Sequence, residues 1–76
     1  MTLTKAGIGK EYTLCGIWLP QDVTRRLQML GMTLGSRILV LNRKRSGSVI
    51  IKVRGTRFAL GEHFAQGMDV EERSHD

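Results

Sequence analysis

Apolar and polar positions along the chain follow two different periods, and each period predicts an element. In "EYTLCGI", Glu11 to Ile17, the residues Tyr12, Leu14 and Gly16 alternate with Thr13, Cys15 and Ile17, the two-residue period of a short strand. Pro20 then predicts the first turn of a helix, where its missing N–H is not needed. Asp22 adds a negative charge at the positive end of that helix. Val23, Leu27 and Leu30 follow the i, i+4, i+7 spacing of one apolar stripe, which leaves Arg25, Arg26 and Gln28 to water. Gly31 comes directly after the stripe and predicts a left-handed cap, with Met32 folding back onto Leu27. "LGMTLG", Leu30 to Gly35, therefore reads as a joint. Its two glycines end a helix instead of opening one, and no Lys-Ser/Thr pair follows Gly35 as a phosphate loop would need.

After the joint the period falls to two. Every position from Ile38 to Leu41 is aliphatic, as in a strand covered on both faces. "RKRSG" turns the chain, and "SVIIKVR" then alternates, with Val49, Ile51 and Val53 on one face. Gly55-Thr56 reads as a two-residue hairpin turn with glycine first. That register sets Val53 opposite Phe58, Ile51 opposite Leu60, Lys52 opposite Ala59 and Arg54 opposite Arg57, the last a repulsive pair. "GEHFAQG" suits a 3₁₀ turn with Phe64 plugging one end of the core, and "MDVEE" a last strand with Met68 and Val70 inward. Strand, helix, three-strand meander, short turn and strand predict a mainly β fold. Five short strands should curl into a small, partly open SH3-like barrel, with the helix between the first two strands covering one side.

A chain of 76 residues supports one core, assigned to residues 1–72, with 73–76 as a flexible tail. The longest aliphatic run, Ile38 to Leu41, is far too short to span a bilayer, and no signal-peptide pattern occurs. Cys15 is the only cysteine, so no internal disulfide can form. A cytoplasmic protein of bacterial type is the expectation.

The net charge of +5 is unevenly spread. Arg43, Lys44, Arg45, Lys52, Arg54 and Arg57 occur with no acid among them, whereas Glu62, Asp69, Glu71, Glu72 and Asp76 face a single Arg73. A positive side favours an anionic partner: nucleic acid, phospholipid headgroups or an acidic protein face. Catalysis finds little support. His63 and His75 are the only histidines, Cys15 mid-strand reads as a small core hydrophobe, and no CxxC, HxH or HExxH spacing occurs. No enzyme, metal site or cofactor is expected. Met32 and Met68 read as core, while Met29 falls off the stripe and reads as exposed. Trp18 and Leu19 either cap the barrel or are offered to a partner.

"RRLQMLGMTLGSRILVL", a basic hairpin and "IIKVRGTRFALGEHFAQGMDVEE" together resemble the FeoA family over about Tyr12 to Glu72. The most specific parts are "LGMTLG", the "VRG" of Val53 to Gly55, and Ala65, Gly67 and Val70. "KRSGS", Lys44 to Ser48, stands where the commoner pattern has a Pro-Leu-Gly-Asp-Pro-like segment. The resemblance implies a small SH3-like accessory protein of bacterial ferrous iron uptake. Such a protein binds the cytoplasmic part of the membrane transporter FeoB and is peripheral to the membrane only through it. A similar domain is appended to DtxR-type metal-dependent repressors. Candidate partner-binding residues are Arg54, Arg57, Arg43, Lys44, Arg45, Arg25, Arg26 and Met29, and Gly31, Gly35 and Gly55 serve turns and caps. The alternative is a small basic barrel binding RNA or DNA phosphates. Against it, Arg43 to Arg57 contains no aromatic on which a base could stack.

Overall fold

The computed structural model describes residues 1–73, so His75 and the tail beyond Arg73 lie outside the described residues. Five antiparallel strands form one sheet in the order β4-β3-β2-β1-β5, with β1 at Glu11–Ile17, β2 at Arg37–Arg43, β3 at Val49–Val53, β4 at Thr56–Leu60 and β5 at Met68–Glu72. Helix α1, Gln21–Met29, joins β1 to β2, and α2, Glu62–Gln66, joins β4 to β5. The sheet curls around Tyr12, Leu14, Ile38, Val40, Val49, Ile51, Val53, Met68 and Val70, all buried. Among the five described strands, β4 has β3 as its one neighbour and β5 has β1, so the barrel is open between β4 and β5.

Several local expectations need correction. Pro20 caps α1 from outside, with an extended ψ of 148°, and its carbonyl accepts the first bond, from Thr24 N–H at 2.9 Å. The helix covers the barrel less than its stripe predicted: Leu27 is buried, Val23 only half-buried, and Leu30 is 54% exposed. The outer face of β2 is uncovered as well. Ile38 and Val40 are buried, but Leu39 and Leu41 are half-buried, because Leu39 lies opposite Lys52 on a face that no second layer screens. "GEHFAQ" forms a short α-helix in place of a 3₁₀ turn. Ala65, not Phe64, turns inward. A methyl lets α2 lie close against the N-terminal segment, and the larger Phe64 is left 38% exposed.

That segment has no hydrophobic periodicity, yet it closes one end of the barrel. A 3₁₀ turn at Leu3–Lys5 buries Leu3, and Ala6 beyond it is buried too. Thr2 bridges Asp69, and Val70 N–H donates to the Met1 carbonyl at 2.7 Å, so residues 1–2 cover part of the β5 edge. Gly7 N–H donates to the Tyr12 hydroxyl at 2.7 Å, which satisfies a buried phenol. Arg73 N–H donates to the Glu11 carbonyl at 3.0 Å.

Candidate partner-binding surface

The joint after α1 is built as the sequence predicts. Gly31 has φ +98°, Met32 N–H donates to the Leu27 carbonyl at 2.9 Å, and Gly31 N–H donates to that of Gln28 at 3.0 Å. These are the two bonds of a Schellman cap. Met32 is fully buried. Ser36 supplies a tie that its residue type alone did not announce. Its hydroxyl donates to the Gly31 carbonyl at 2.9 Å and accepts Thr33 N–H at 3.1 Å, which closes the loop through Gly35, at φ +89°.

The β3–β4 hairpin corrects the expected register. Val53 pairs with Thr56, Lys52 with Arg57, Ile51 with Phe58, Ile50 with Ala59 and Val49 with Leu60. The turn is therefore Arg54-Gly55, with φ of 53° and 82°, the two positive values of a type I′ turn. The slip equals two residues, so the inward-facing set is unchanged and the hydrophobic pattern could not distinguish the two registers. Arg54 is not opposite Arg57. Repulsion persists nevertheless, because Lys52 takes that place.

Arg54 is the only non-glycine with positive φ among the described residues. Its stem lies over Gly31: a β-carbon there would stand 3.0 Å from Arg54 Cδ and 3.4 Å from Nε. The "LGMTLG" and "VRG" stretches thus meet through one arginine. Arg54 also lines an open concavity of about 460 Å³ with Glu11, Arg37, Leu39, Lys52 and Gly55. One wall holds an ion pair, Arg37 Nε to Glu11 Oε2 at 3.6 Å. The sequence singled out Arg54 and Arg57 but missed Arg37, which reaches this face from another strand; only the pairing of β2 with β3 reveals it.

The other candidates are dispersed. Arg43 NH1 donates to the Ala6 carbonyl at 3.2 Å and NH2 to that of Thr4, so this guanidinium anchors the N-terminal segment. Lys44 and Arg45 stand exposed on the β2–β3 turn. Arg25 and Met29 lie on exposed α1, Met29 at 83%. Arg26 rims a groove formed by Val23, Leu27, Leu30, Leu60 and Phe64. Trp18 is 79% exposed and does not cap the barrel, while Leu19 packs half-buried beside Gly67. A β-carbon at Gly67 would stand 2.7 Å from Leu19 Cγ, which explains the glycine between Ala65 and Val70.

Cys15 is exposed rather than a core residue, because the alternation that buries Tyr12 and Leu14 turns it outward, beside a bulge between Leu14 and Gly16. Its thiol lies 3.4 Å from the Thr13 carbonyl oxygen and 3.7 Å from Glu71 Oε2. Lost hydration around Sγ, and next the Glu71 carboxylate, push the thiol above its ordinary pKa. Among the described residues, no group of three or more His, Cys, Asp or Glu side chains could hold a metal ion.

The chain is similar to an iron uptake regulatory protein, FeoA, whose crystal structure matches with a TM-score of 0.86 at 30% identity over 96% of this chain and 97% of that one. It is also similar to Stenotrophomonas maltophilia FeoA complexed with zinc, described as a prokaryotic SH3 domain protein, with a TM-score of 0.79 at 25% identity over 93% and 89%. A manganese-dependent transcriptional repressor matches with a TM-score of 0.87 at 25% identity, over 96% of this chain but 36% of the repressor. No curated protein matches significantly. The FeoA domain model matches residues 1–72, and with the SH3-like fold of the solved relatives it shows that the chain belongs to the FeoA family of ferrous iron transport.

Proposed function

We propose that this chain is a non-enzymatic accessory protein that binds the cytoplasmic part of a FeoB-type ferrous iron transporter and modulates transport. Family membership over residues 1–72 carries the reading. The Stenotrophomonas relative, described as possibly acting as a ferrous iron transport activating factor, supports it. No described helix is long and apolar enough to cross a membrane. In this reading the chain meets the inner face of the membrane through its partner. Binding falls to exposed cations and one exposed methionine: Arg54 and Arg57 first, then Lys44, Arg45, Arg25, Arg26 and Met29, with Arg43 already committed to its own chain. Residues 1–72 act as one domain.

The test is recovery of partners from bacterial membranes by the tagged protein, scored for transporter and RNA together. The transporter is expected. Recovery of RNA alone would move the function to the phosphate-binding reading.

A further inference from the structure

The outer face of the sheet gathers cations from three strands around one half-buried apolar side chain, Leu39. In one row across the sheet, Leu39 on β2 pairs with Lys52 on β3, and Lys52 with Arg57 on β4. At one end of this row Arg37 and Arg54 line the concavity with Leu39 and Lys52. Only Glu11 opposes them there, through its ion pair with Arg37. Lys52 directly opposite Arg57 is unfavourable in the free protein, and the left-handed backbone of Arg54 adds strain. Both costs fall on cations of one face. Gly31 keeps the Arg54 stem in place by offering it a surface without a side chain.

We infer that this face binds an extended acidic protein segment, with Arg54 as the anchor for a carboxylate and Leu39 as the apolar contact between cations. The inference rests on the partner-binding function proposed above and names its surface and the chemistry of its partner. A carboxylate from a partner turns the Lys52–Arg57 repulsion into attraction, and the planar guanidinium of Arg54 offers two parallel donors to it. The Glu11–Arg37 pair already shows a carboxylate seated on this wall. Nucleic acid fits the face less well. The concavity offers no aromatic ring on which a base could stack, and exposed Trp18 lines a separate groove with Cys15 and Leu34.

The test uses fluorescence anisotropy at low salt with a labelled peptide of alternating Glu and Leu. The comparison probes are its Gln counterpart, a single-stranded oligonucleotide and phosphatidylserine vesicles. Asn-Gly is a preferred type I′ pair, so Arg54→Asn suits the backbone of the turn although it loses the packing on Gly31, and its urea midpoint, measured alongside, separates lost binding from unfolding. The Glu peptide is expected to bind wild type, with Arg54→Asn weaker by about tenfold or more and Arg54→Lys intermediate. Lys52→Gln should also weaken it, whereas Lys5→Gln, on the 3₁₀ turn, should not. No binding of the Glu peptide, or equal binding by Arg54→Asn, would overturn the inference. So would tighter, Arg54-dependent binding of the oligonucleotide or vesicles. Repeating the membrane recovery with Arg54→Asn separates the two proposals. Transporter recovered equally by both proteins sinks this face and leaves the function standing, while transporter recovered by neither sinks the function.

Discussion

At Gly31 two requirements fall on one missing side chain: a backbone φ of +98° and an arginine stem 3.0 Å from where a β-carbon would stand. Gly31→Val should therefore cost about 2 kcal/mol, and Gly31→Ala about 1 kcal/mol, read as shifts in urea midpoint. An unchanged midpoint in the valine variant would mean that Gly31 is not left-handed. Cys15 illustrates a different point, that exposure is not reactivity. Its thiol is accessible, but the raised pKa delays formation of the nucleophilic thiolate to higher pH. Alkylation by iodoacetamide should accordingly rise at a higher pH than for a free cysteine. Glu71→Gln removes a negative neighbour, stabilises the thiolate relative to the thiol, and should move the curve back down. Identical curves for the two proteins would exclude Glu71 as a cause.

Helix α1 owes its place to one residue more than its pattern suggests. Leu27 is buried, and Met32 folds onto it through the cap, whereas Leu30 on the same stripe stays 54% exposed. Leu27→Ala should cost about 2–4 kcal/mol, and Leu30→Gln no more than about 0.5 kcal/mol, in chemical denaturation. Equal costs would restore the stripe as a packed face. The helix was legible because its period and its glycine stop agreed, but periodicity reports which side faces inward, not how far along that side contact extends. The hairpin had a similar limit. A glycine at position 55 satisfies either the first place of a type II′ turn or the second of a type I′ turn, and both registers bury the same residues. The packing of Arg54 across Gly31, which links residues distant in sequence, favours the observed choice.

Over the whole molecule, the order of elements was readable because each segment obeyed one period and ended in a recognisable turn. The N-terminal plug was not. Leu3 and Ala6 are isolated apolar residues in a polar stretch, and only the open end of a finished barrel gives them somewhere to go. The basic face was half-readable: Arg54 and Arg57 stood out in the sequence, but Arg37 joins them only when β2 lies beside β3. The covering of the β5 edge by residues 1–2 has a consequence of another kind. The backbone enters the fold against Asp69 and Val70 and reaches the end of β5 two residues later, about 7 Å further along. Entry and exit therefore sit side by side on one margin, away from the Arg54–Gly55 turn on the opposite edge of the sheet. A larger host can graft such a unit onto either end, or splice it between two of its own segments, without prying the strands apart. The repressor in which the same fold fills about a third of the length is an example of that portability.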